Sequence, residues 1–518
     1  MLVKTYASTV QGVDAQTIVV EVNSGGTIPA GKNYYFLVGL PDNAVKEGFR
    51  RIEAALKNVG CKMPRIKLVV NLAPADIRKE GSAYDLPIAL GVLASTGQID
   101  PQLLGDYVIM GELALDGHVR PIKGALPIAI QARKEKFKGL IVPKINAKEA
   151  AIVNDVNVYG IDNLSEAISF FNRENDLQAT TVDTRDEFEE FNNNYEIDFS
   201  DVKGQENIKR ALTLAAAGGH NVILIGPPGA GKTMLARRLP TILPPMDLRE
   251  ALETTKIHSV AGILAPDSSL ISVRPFRSPH HTISDVALVG GGSHPSPGEI
   301  SLAHNGVLFL DELPEFKRTV LEVMRQPLEE RRVTIARAKI TVDYPASFIL
   351  IASMNPCPCG YYNHPEKECV CAPGVIKRYL NKISGPLLDR IDIHVEVTPV
   401  SYDRLADETR REENSQSIID RVIRARDTQL DRFANKDHIF FNAQMTSKMV
   451  QQICEINQAG KTLLKTAMEK LQLSARAYDR ILKVSRTAAD LDGSEGIKIE
   501  HLAEAIQLRS LDRESWAE

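Results

Sequence analysis

The sequence has no long apolar segment. No window approaches the run of about 18 uninterrupted apolar residues that is typical of a membrane-spanning helix. The amino-terminal stretch MLVKTYASTVQGVDAQTIVVEV also lacks the apolar region of a secretory signal. We therefore expect no contact with a membrane, a cytoplasmic location, and a reducing environment for the cysteines.

An excess of positive charge is absent as well. The 518 residues carry a formal net charge of −4, so any binding to nucleic acid would need a local basic surface. Hydrophobic residues make up 43% of the chain and charged residues 25%, which is ordinary for globular proteins. The length allows about two to four domains, and no solenoid-type repeat is present.

Cysteine is scarce and unevenly placed. Four of the six cysteines lie in NPCPCGYYNHPEKECVCAPG, residues 355–374. They form two Cys-x-Cys pairs: Cys357, Cys359, Cys369 and Cys371. Four thiolates can build a tetrahedral Zn²⁺ site that holds a polar loop together, and His364 could replace one of them. Free structural thiols and redox chemistry are the alternatives.

The chain divides into four regions. Apolar runs of strand length predict a mixed α/β unit over residues 1–172, with strands over 17–22, 34–40, 67–73 and 139–143, a hairpin at Asp116-Gly117 and a helix over 44–60. Residues 173–198 hold nine acidic residues against two arginines and are typical of a linker. A second α/β unit is predicted over 199–397. Residues 398–518 are mostly helical in pattern, most clearly over 475–491.

The strongest motif lies in NVILIGPPGAGKTMLARRL, residues 221–239. A buried strand runs into Gly226-x4-Gly231-Lys232-Thr233 and a helix pattern follows, which is the context of a phosphate-binding loop. Backbone N–H groups would surround the phosphates, Lys232 would reach the β- and γ-phosphates, and Thr233 would ligate Mg²⁺. The predicted ATP-binding residues are Gly226, Pro227, Pro228, Gly229, Ala230, Gly231, Lys232, Thr233, Met234 and Asp311.

Polar residues follow the next predicted strands. GVLFLDELPEF delivers Asp311 and Glu312 to the end of a strand. We expect Asp311 to help hold Mg²⁺ and Glu312 to polarise the attacking water. A third strand, SFILIASMNP, ends in Asn355, which could orient that water or sense the γ-phosphate. Arg390 precedes a fourth apolar strand; it is either an arginine finger or a surface ion-pair residue.

These motifs form a set with a known counterpart. DFSDVKGQENIKRALTLAAAGGHN, GPPGAGKT, VLFLDE, SMNPCPCG and LLDRIDIHVEV together resemble the magnesium-chelatase-like AAA+ ATPases, and within them the ComM/YifB family. The similarity covers nearly the whole chain. It implies an α/β fold: an AAA+ phosphate-loop core with a helical carboxy-terminal lid, preceded by a Lon-protease-like (ribosomal S5-like) domain.

The resemblance also implies an assembly. Such motors act as rings, here a homo-hexamer, with ATP between subunits. Arg390 would then act in trans on the ATP of a neighbour, and Arg476 of the lid would contact phosphate. Arg480 on the same helix competes for that lid role.

Two insertions of the same clade can be located. One covers residues about 258–300, and the other is RRVTIARAKITVDYP (331–345), a predicted β-hairpin. In related motors such elements point into the pore of the ring. The predicted DNA-binding residues are therefore Arg331, Arg337 and Lys339, with Arg332 beside Arg331 at the hairpin base. An edge hairpin protected by charges is the alternative.

The amino-terminal unit resembles the Lon-protease-like domain through KEGSAYDLPIALGVLA and GELALDGHVRPIKGALPIAIQA. Active proteases of that fold use a Ser-Lys pair. Here Ala83 occupies the nucleophile position and Ser82 is one residue off, while Leu126 occupies the lysine position and Lys123 is displaced by three. We therefore expect no peptidase activity and a role in assembly or DNA binding.

The resemblance predicts an ATP-driven DNA motor. Its expected action is that of a helicase or branch-migration translocase on single-stranded or branched DNA, in homologous recombination during natural transformation, with recombination proteins as partners. The alternative is a chaperone-like ATPase that remodels a protein or assists metal insertion, as in magnesium chelatase. ATP and Mg²⁺ are the expected cofactors in both cases, with Zn²⁺ as a structural addition.

Overall fold

The computed structural model describes residues 1–26, 34–183, 195–265, 269–292, 295–337, 341–362, 364, 366–401, 404, 411–436, 438–471 and 473–509. The chain forms two compact units. The first contains Met1–Glu190 and Leu248–Ile271, and the second contains Phe191–Asp247 and Ser272–Glu518. No helix among the described residues is long and apolar enough to cross a membrane.

The first unit is built on a seven-stranded mixed sheet in the order β3-β4-β2-β1-β5-β8-β9. Its strands are β1 (Leu2–Gln11), β2 (Asp14–Ser24), β3 (Tyr35–Val38), β4 (Leu68–Ala73), β5 (Tyr107–Ile109), β8 (Gly139–Pro143) and β9 (Asn157–Ile161). β6 (Glu112–Leu113) and β7 (Val119–Arg120) form the short antiparallel ribbon predicted around Asp116-Gly117. The predicted strands are confirmed, whereas β1 and β9 were not predicted.

Helices cover this sheet. They are α1 (Asn43–Asn58), α2 (Asp85–Ser95), α3 (Ala125–Lys134), α4 (Lys144–Ala151) and α5 (Leu164–Phe171), with a 3₁₀ turn at Leu104–Asp106. Every residue of α2 is buried, because it lies between the sheet and the surrounding helices. α1 ends as predicted, with Gly60 at a φ of +83° just beyond it.

A further helix of the first unit, α8 (Leu248–Ala261), comes from later in the chain. The sequence pattern places residues 248–271 within the predicted second α/β unit, whereas in the structure they pack with the first unit. Gly124 N–H donates to the Ser259 carbonyl at 3.1 Å, and the Ser259 hydroxyl donates to the Glu149 carboxylate. These tertiary contacts, not local sequence, determine where the helix belongs.

The second unit contains a five-stranded sheet in the order β11-β14-β17-β10-β18, with every pair parallel. The strands are β10 (Val222–Ile225), β11 (Phe276–Arg277), β14 (Val307–Leu310), β17 (Ile349–Met354) and β18 (Ile393–Glu396). β10, β14 and β17 are buried throughout, as their apolar runs predict.

Two ribbons and several helices surround this sheet. The ribbons are β12 (Gly290–Gly291) with β13 (Ser296–Pro297), and β15 (Arg332–Ala336) with β16 (Thr341–Pro345). The helices are α6 (Glu206–Gly218), α7 (Lys232–Arg238), α9 (Asp285–Val289), α10 (Glu299–Leu302), α11 (Arg318–Glu322), α12 (Arg325–Glu330), α13 (Pro373–Leu380) and α14 (Gly385–Leu388). Turns of 3₁₀ type lie at Phe199–Asp201, Leu239–Ile242 and Leu313–Glu315. The second ribbon is the hairpin that the sequence predicts.

The carboxy-terminal part is helical, as predicted. It consists of α15 (Ser415–Phe433), α16 (Ser447–Ile453), α17 (Gln458–Lys470), α18 (Ala475–Leu491) and α19 (Ile499–Gln507), with a 3₁₀ turn at Asn442–Gln444. α18 has the predicted bounds and begins at Ser474, whose side chain accepts from the Ala477 N–H. Apolar residues of these helices and of the sheet form one continuous core.

Candidate nucleotide site

The site lies at one edge of the five-stranded sheet. Because all strands are parallel, their carboxyl ends meet there. Lys232 and Thr233 begin α7 directly after the loop that follows β10, Asp311 and Glu312 follow β14, and Asn355 follows β17. Three segments far apart in sequence are thereby brought within hydrogen-bond distance.

The phosphate-loop motif has the predicted strand-loop-helix context, between β10 and α7. Gly229 and Gly231 have φ angles of +80° and +86°, a region that side chains strain to enter. At Gly226 the requirement for glycine is steric, because a Cβ there would lie 2.3 Å from the Val397 carbonyl oxygen. Met234 is exposed beside the loop.

Lys232 is 9% exposed and its ammonium is fully engaged. It donates to the carbonyls of Gly226 at 2.6 Å and Pro227 at 3.0 Å, and to Asn355 Oδ1 at 3.1 Å. Burial lowers the pKa of Lys232, and the nearby carboxylates Asp311 and Glu312 oppose that shift. The ammonium is therefore held at the loop where a phosphate would sit.

The oxygen atoms of Thr233 and Asp311 form the candidate Mg²⁺ position. Thr233 Oγ1 donates to Asp311 Oδ2 at 3.1 Å. Two ligands in adjacent corners of an Mg²⁺ octahedron lie about 3.0 Å apart when each is about 2.1 Å from the ion. The hard oxygen donors and their spacing fit Mg²⁺, and the buried Ser353 hydroxyl donates to Asp311 Oδ1 and orients that carboxylate.

Glu312 has the exposure that an activator of water needs. Its side chain is 54% exposed, and Oε2 lies 3.5 Å from Nδ1 of His281. Its backbone has a φ of +53°, an uncommon conformation for a residue other than glycine. The Glu312 N–H donates to Ser353 Oγ at 3.3 Å and to Asp311 Oδ1 at 3.1 Å, and these bonds hold the turn.

Arg390 lies at the opposite edge of the same sheet. It precedes β18, and its carbonyl accepts from Asn221 Nδ2, just before β10, at 3.3 Å. Strands of four residues separate this edge from the phosphate loop, a distance of roughly 13 Å. Within the chain Arg390 is 8% exposed and pairs with Glu329 at 2.7 Å. It therefore does not serve the phosphate loop of its own chain.

The two candidate lid arginines differ sharply. Arg480 donates to the fully buried Asp392 at 2.7 Å, and the charge of Arg480, with His220 and the Asn221 N–H, holds the pKa of that carboxyl well below its usual range against the effect of burial. Arg476 is 58% exposed and pairs with Asp389 at 3.7 Å. Arg480 thus joins helix to sheet, and Arg476 is the one accessible to a ligand.

Arg331, at the base of the hairpin, has partners within the second unit. Its guanidinium stacks 4.7 Å from the centre of the Phe441 ring and donates to Ser347 Oγ at 3.1 Å. Burial lowers its pKa to about 10. The contact of Arg331 with DNA stays a prediction, and these bonds give the residue a structural role as well.

Other hairpin residues are accessible. Arg332 and Arg337 are exposed, and Lys339 lies outside the described residues. The hairpin packs on the first insertion, since Tyr344 Oη donates to the Pro295 carbonyl at 2.7 Å. The two insertions are thus in contact at this point.

The serine and lysine candidates of the first unit are not paired with each other in the described contacts. The Ser82 hydroxyl donates to the Glu112 carboxylate, and Ala83 precedes α2. Leu126 is fully buried, while Lys123 is exposed with its aliphatic chain beside Gly262. A carboxylate partner does not provide the amine base of a Ser-Lys pair.

The four clustered cysteines converge. Their sulfur atoms all lie within 4.8 Å of one another, and Sγ of Cys357 is 3.3 Å from that of Cys359 and 3.7 Å from that of Cys369. Thiolates on a tetrahedral Zn²⁺ lie about 3.8 Å apart, since each is about 2.3 Å from the ion. The cluster can therefore hold a metal ion. The Nδ1 of His364 accepts from the Glu366 and Lys367 N–H groups instead.

Three contributors were not predicted from the sequence. Ser353 is a polar residue in an otherwise apolar strand, a signal that was available. His281 lies in the first insertion, and nothing in the sequence links it to Glu312. Gln205, ahead of α6, donates to the Ala230 carbonyl of the phosphate loop at 3.1 Å; its contact depends on the tertiary fold.

Three family models match the chain. “Magnesium chelatase, subunit ChlI” matches residues 198–405, “Subunit ChlI of Mg-chelatase” matches residues 20–146, and “Magnesium chelatase, subunit ChlI C-terminal” matches residues 412–509. The matches cover both units and follow the order of domains described above.

Full-length relatives are similar over nearly the whole chain. “Competence protein ComM” of Haemophilus influenzae is 44% identical over 510 residues, 98% of this chain and 97% of that one. “Uncharacterized protein YifB” of Escherichia coli is 42% identical, and that of Salmonella typhimurium 40%, each over 502 residues, 97% of this chain and 96% of theirs.

Replacing Glu312 by Gln should leave ATP binding intact and reduce turnover by about 100-fold or more, because the amide cannot accept a proton from water. Nucleotide affinity and steady-state phosphate release measure the two effects. Glu315→Gln, an exposed carboxylate three residues away, is the matched control and should turn over normally. Unchanged turnover in Glu312→Gln would remove Glu312 from the mechanism.

Alanine variants of the two lid arginines should differ in their free energy of unfolding. Arg480→Ala leaves Asp392 buried without its main ion-pair partner, which should cost about 3–5 kcal/mol and lower the melting temperature of the second unit. Arg476→Ala removes an exposed pair and should cost about 1 kcal/mol or less. Equal melting temperatures for the two variants would contradict this assignment.

Proposed function

Because the chain belongs to the ComM/YifB family of magnesium-chelatase-like proteins, we propose that it is an AAA+ ATPase whose hydrolysis drives movement on DNA. The observation that carries the ATPase assignment is the convergence of Lys232, Thr233, Asp311 and Asn355 at one sheet edge. The relative named as a competence protein supports an action in homologous recombination during natural transformation, as a helicase or branch-migration translocase.

Different residues of the site have different proposed roles in ATP hydrolysis. Lys232 exchanges its carbonyl partners for phosphate oxygens, and Asn355 keeps its side chain directed at the same point. Glu312 orients the attacking water and accepts its proton. Thr233 and Asp311 would hold Mg²⁺, which would neutralise charge on the phosphates.

A second subunit completes the proposed site. Arg390 and Arg476 both lie at the sheet edge away from the phosphate loop, next to Asp389. In a ring they would meet the nucleotide of a neighbour, and Arg390 would first have to leave Glu329. This arrangement supports a ring homo-oligomer, for which we propose a hexamer.

For the first unit we propose a Lon-protease-like fold without peptidase chemistry. The Ser82 hydroxyl faces a carboxylate, and Leu126 occupies the position where the base would be needed. Assembly or DNA binding is its proposed role.

We also propose that Cys357, Cys359, Cys369 and Cys371 bind one structural Zn²⁺, because four soft thiolates with tetrahedral spacing select that ion. Purified protein should contain one zinc per chain by plasma mass spectrometry. Cys61→Ser, a cysteine outside the cluster, should leave the zinc content unchanged. Protein isolated without zinc would refute the site.

DNA should accelerate ATP hydrolysis, and this effect should depend on the hairpin. The double variant Arg332→Ala/Arg337→Ala should lose most of the stimulation by single-stranded or branched DNA while basal hydrolysis stays within about twofold. Arg424→Ala, an exposed arginine on α15, is the matched control. Steady-state ATPase rates at two salt concentrations measure both.

A strand-exchange intermediate gives the decisive test. Purified protein with ATP should dissolve it, and Glu312→Gln should not. No DNA stimulation and no salt-sensitive DNA binding would exclude the motor. ATPase stimulation by a protein instead would favour the alternative, a chaperone-like ATPase related to the chelatase subunit that the family model describes.

A further inference from the structure

The segment with the four clustered cysteines, residues 355–374, is called the cysteine loop here. It contacts the phosphate loop and Lys232 at two points. The first is Asn355, whose Oδ1 accepts from the Lys232 ammonium at 3.1 Å. The second is Gly360, which lies directly against Pro228. A Cβ on Gly360 would be 2.6 Å from Pro228 Cδ and 3.3 Å from its Cγ. No side chain other than hydrogen fits between the two loops at this position.

Two of the cysteines lie between these two contacts in the sequence. Cys357 comes two residues after Asn355, and Cys359 immediately precedes Gly360. Cys357 is fully buried, and its carbonyl accepts from the Gly360 N–H at 3.0 Å. An ion bound to both sulfurs would therefore fix the backbone at both places where the phosphate loop is supported.

The same segment lines a cleft beside the phosphate loop. Pro356, Tyr362 and His364 face Gly226 and Pro227 across it. The loop is polar and buries little apolar surface, with nine residues between Cys359 and Cys369. Without a cross-link its ordering would have to offset the lost backbone entropy from few contacts.

We infer that metal bound by the four cysteines organises the nucleotide site, so that the metal-free chain binds ATP weakly. This inference rests on the proposed zinc site and adds a function to it. The metal ion and its four cysteine ligands hold Gly360 against Pro228 and Asn355 against Lys232. Its removal releases both supports and lets the phosphate loop leave the conformation that receives phosphate.

The test uses full-length protein and a fluorescent ATP analogue with Mg²⁺. Cys369→Ser/Cys371→Ser should lose zinc and bind the analogue about tenfold more weakly or worse, whereas Cys61→Ser should match the parent chain in both measurements. Circular dichroism and melting curves establish that the variants are folded. Loss of zinc with nucleotide affinity within about twofold of the parent would overturn the inference.

Gly360→Ala tests the contact without touching a ligand. It should retain one zinc per chain and still lose nucleotide affinity, because the added methyl group meets Pro228 and the φ of +84° disfavours alanine. Gly374→Ala, at a glycine with open space around its Cα, is its control. Unchanged affinity in Gly360→Ala would also overturn the inference. A zinc-loaded parent chain that binds no nucleotide would instead refute the proposed ATPase.

Discussion

The nucleotide site depends on the parallel pairing of β10 with both of its neighbours. Ile225 is level with Met354 of β17 on one side and with Glu396 of β18 on the other. The Gly226 N–H then donates to the Met354 carbonyl at 3.2 Å. This bond fixes the start of the phosphate loop relative to the end of β17. A shift of β17 by one residue along β10 would exchange the faces on which its side chains lie and would separate Lys232 from Asn355.

The same pairing separates two kinds of charge. At the carboxyl edge, Lys232 and the carboxylates of Asp311 and Glu312 face the phosphate position. At the amino edge, Asp389, Arg390 and Asp392 alternate along one short segment. Asp392 is tied inward to Arg480 and His220, which leaves Arg476 and Arg390 with partners that are partly exposed. One sheet thus carries the candidate phosphate-binding residues at its carboxyl edge and two further arginines, Arg390 and Arg476, at its amino edge.

Much of this could be predicted from the sequence, for reasons that are local. The apolar runs of β10, β14 and β17 are strand-length and end in polar residues, so both the strands and the residues after them were correctly located. The packing of α8 with the first unit could not be predicted, because a helical pattern does not indicate which core the helix joins. The contact of Arg331 with Phe441 could not be predicted either, because the two residues are distant in sequence. Contacts between residues distant in sequence, such as that of His281 with Glu312, cannot be predicted from hydrophobic periodicity.

Phe441 links two parts of the second unit that are distant in sequence. Its ring is held between Arg331, at the root of the hairpin, and Arg426 of α15, whose guanidinium lies 4.4 Å from the ring centre. The next residue, Asn442, donates to Asp490 of α18 at 2.8 Å. Side-chain contacts through Phe441 and Asn442 therefore connect the root of the hairpin to two of the carboxy-terminal helices, α15 and α18.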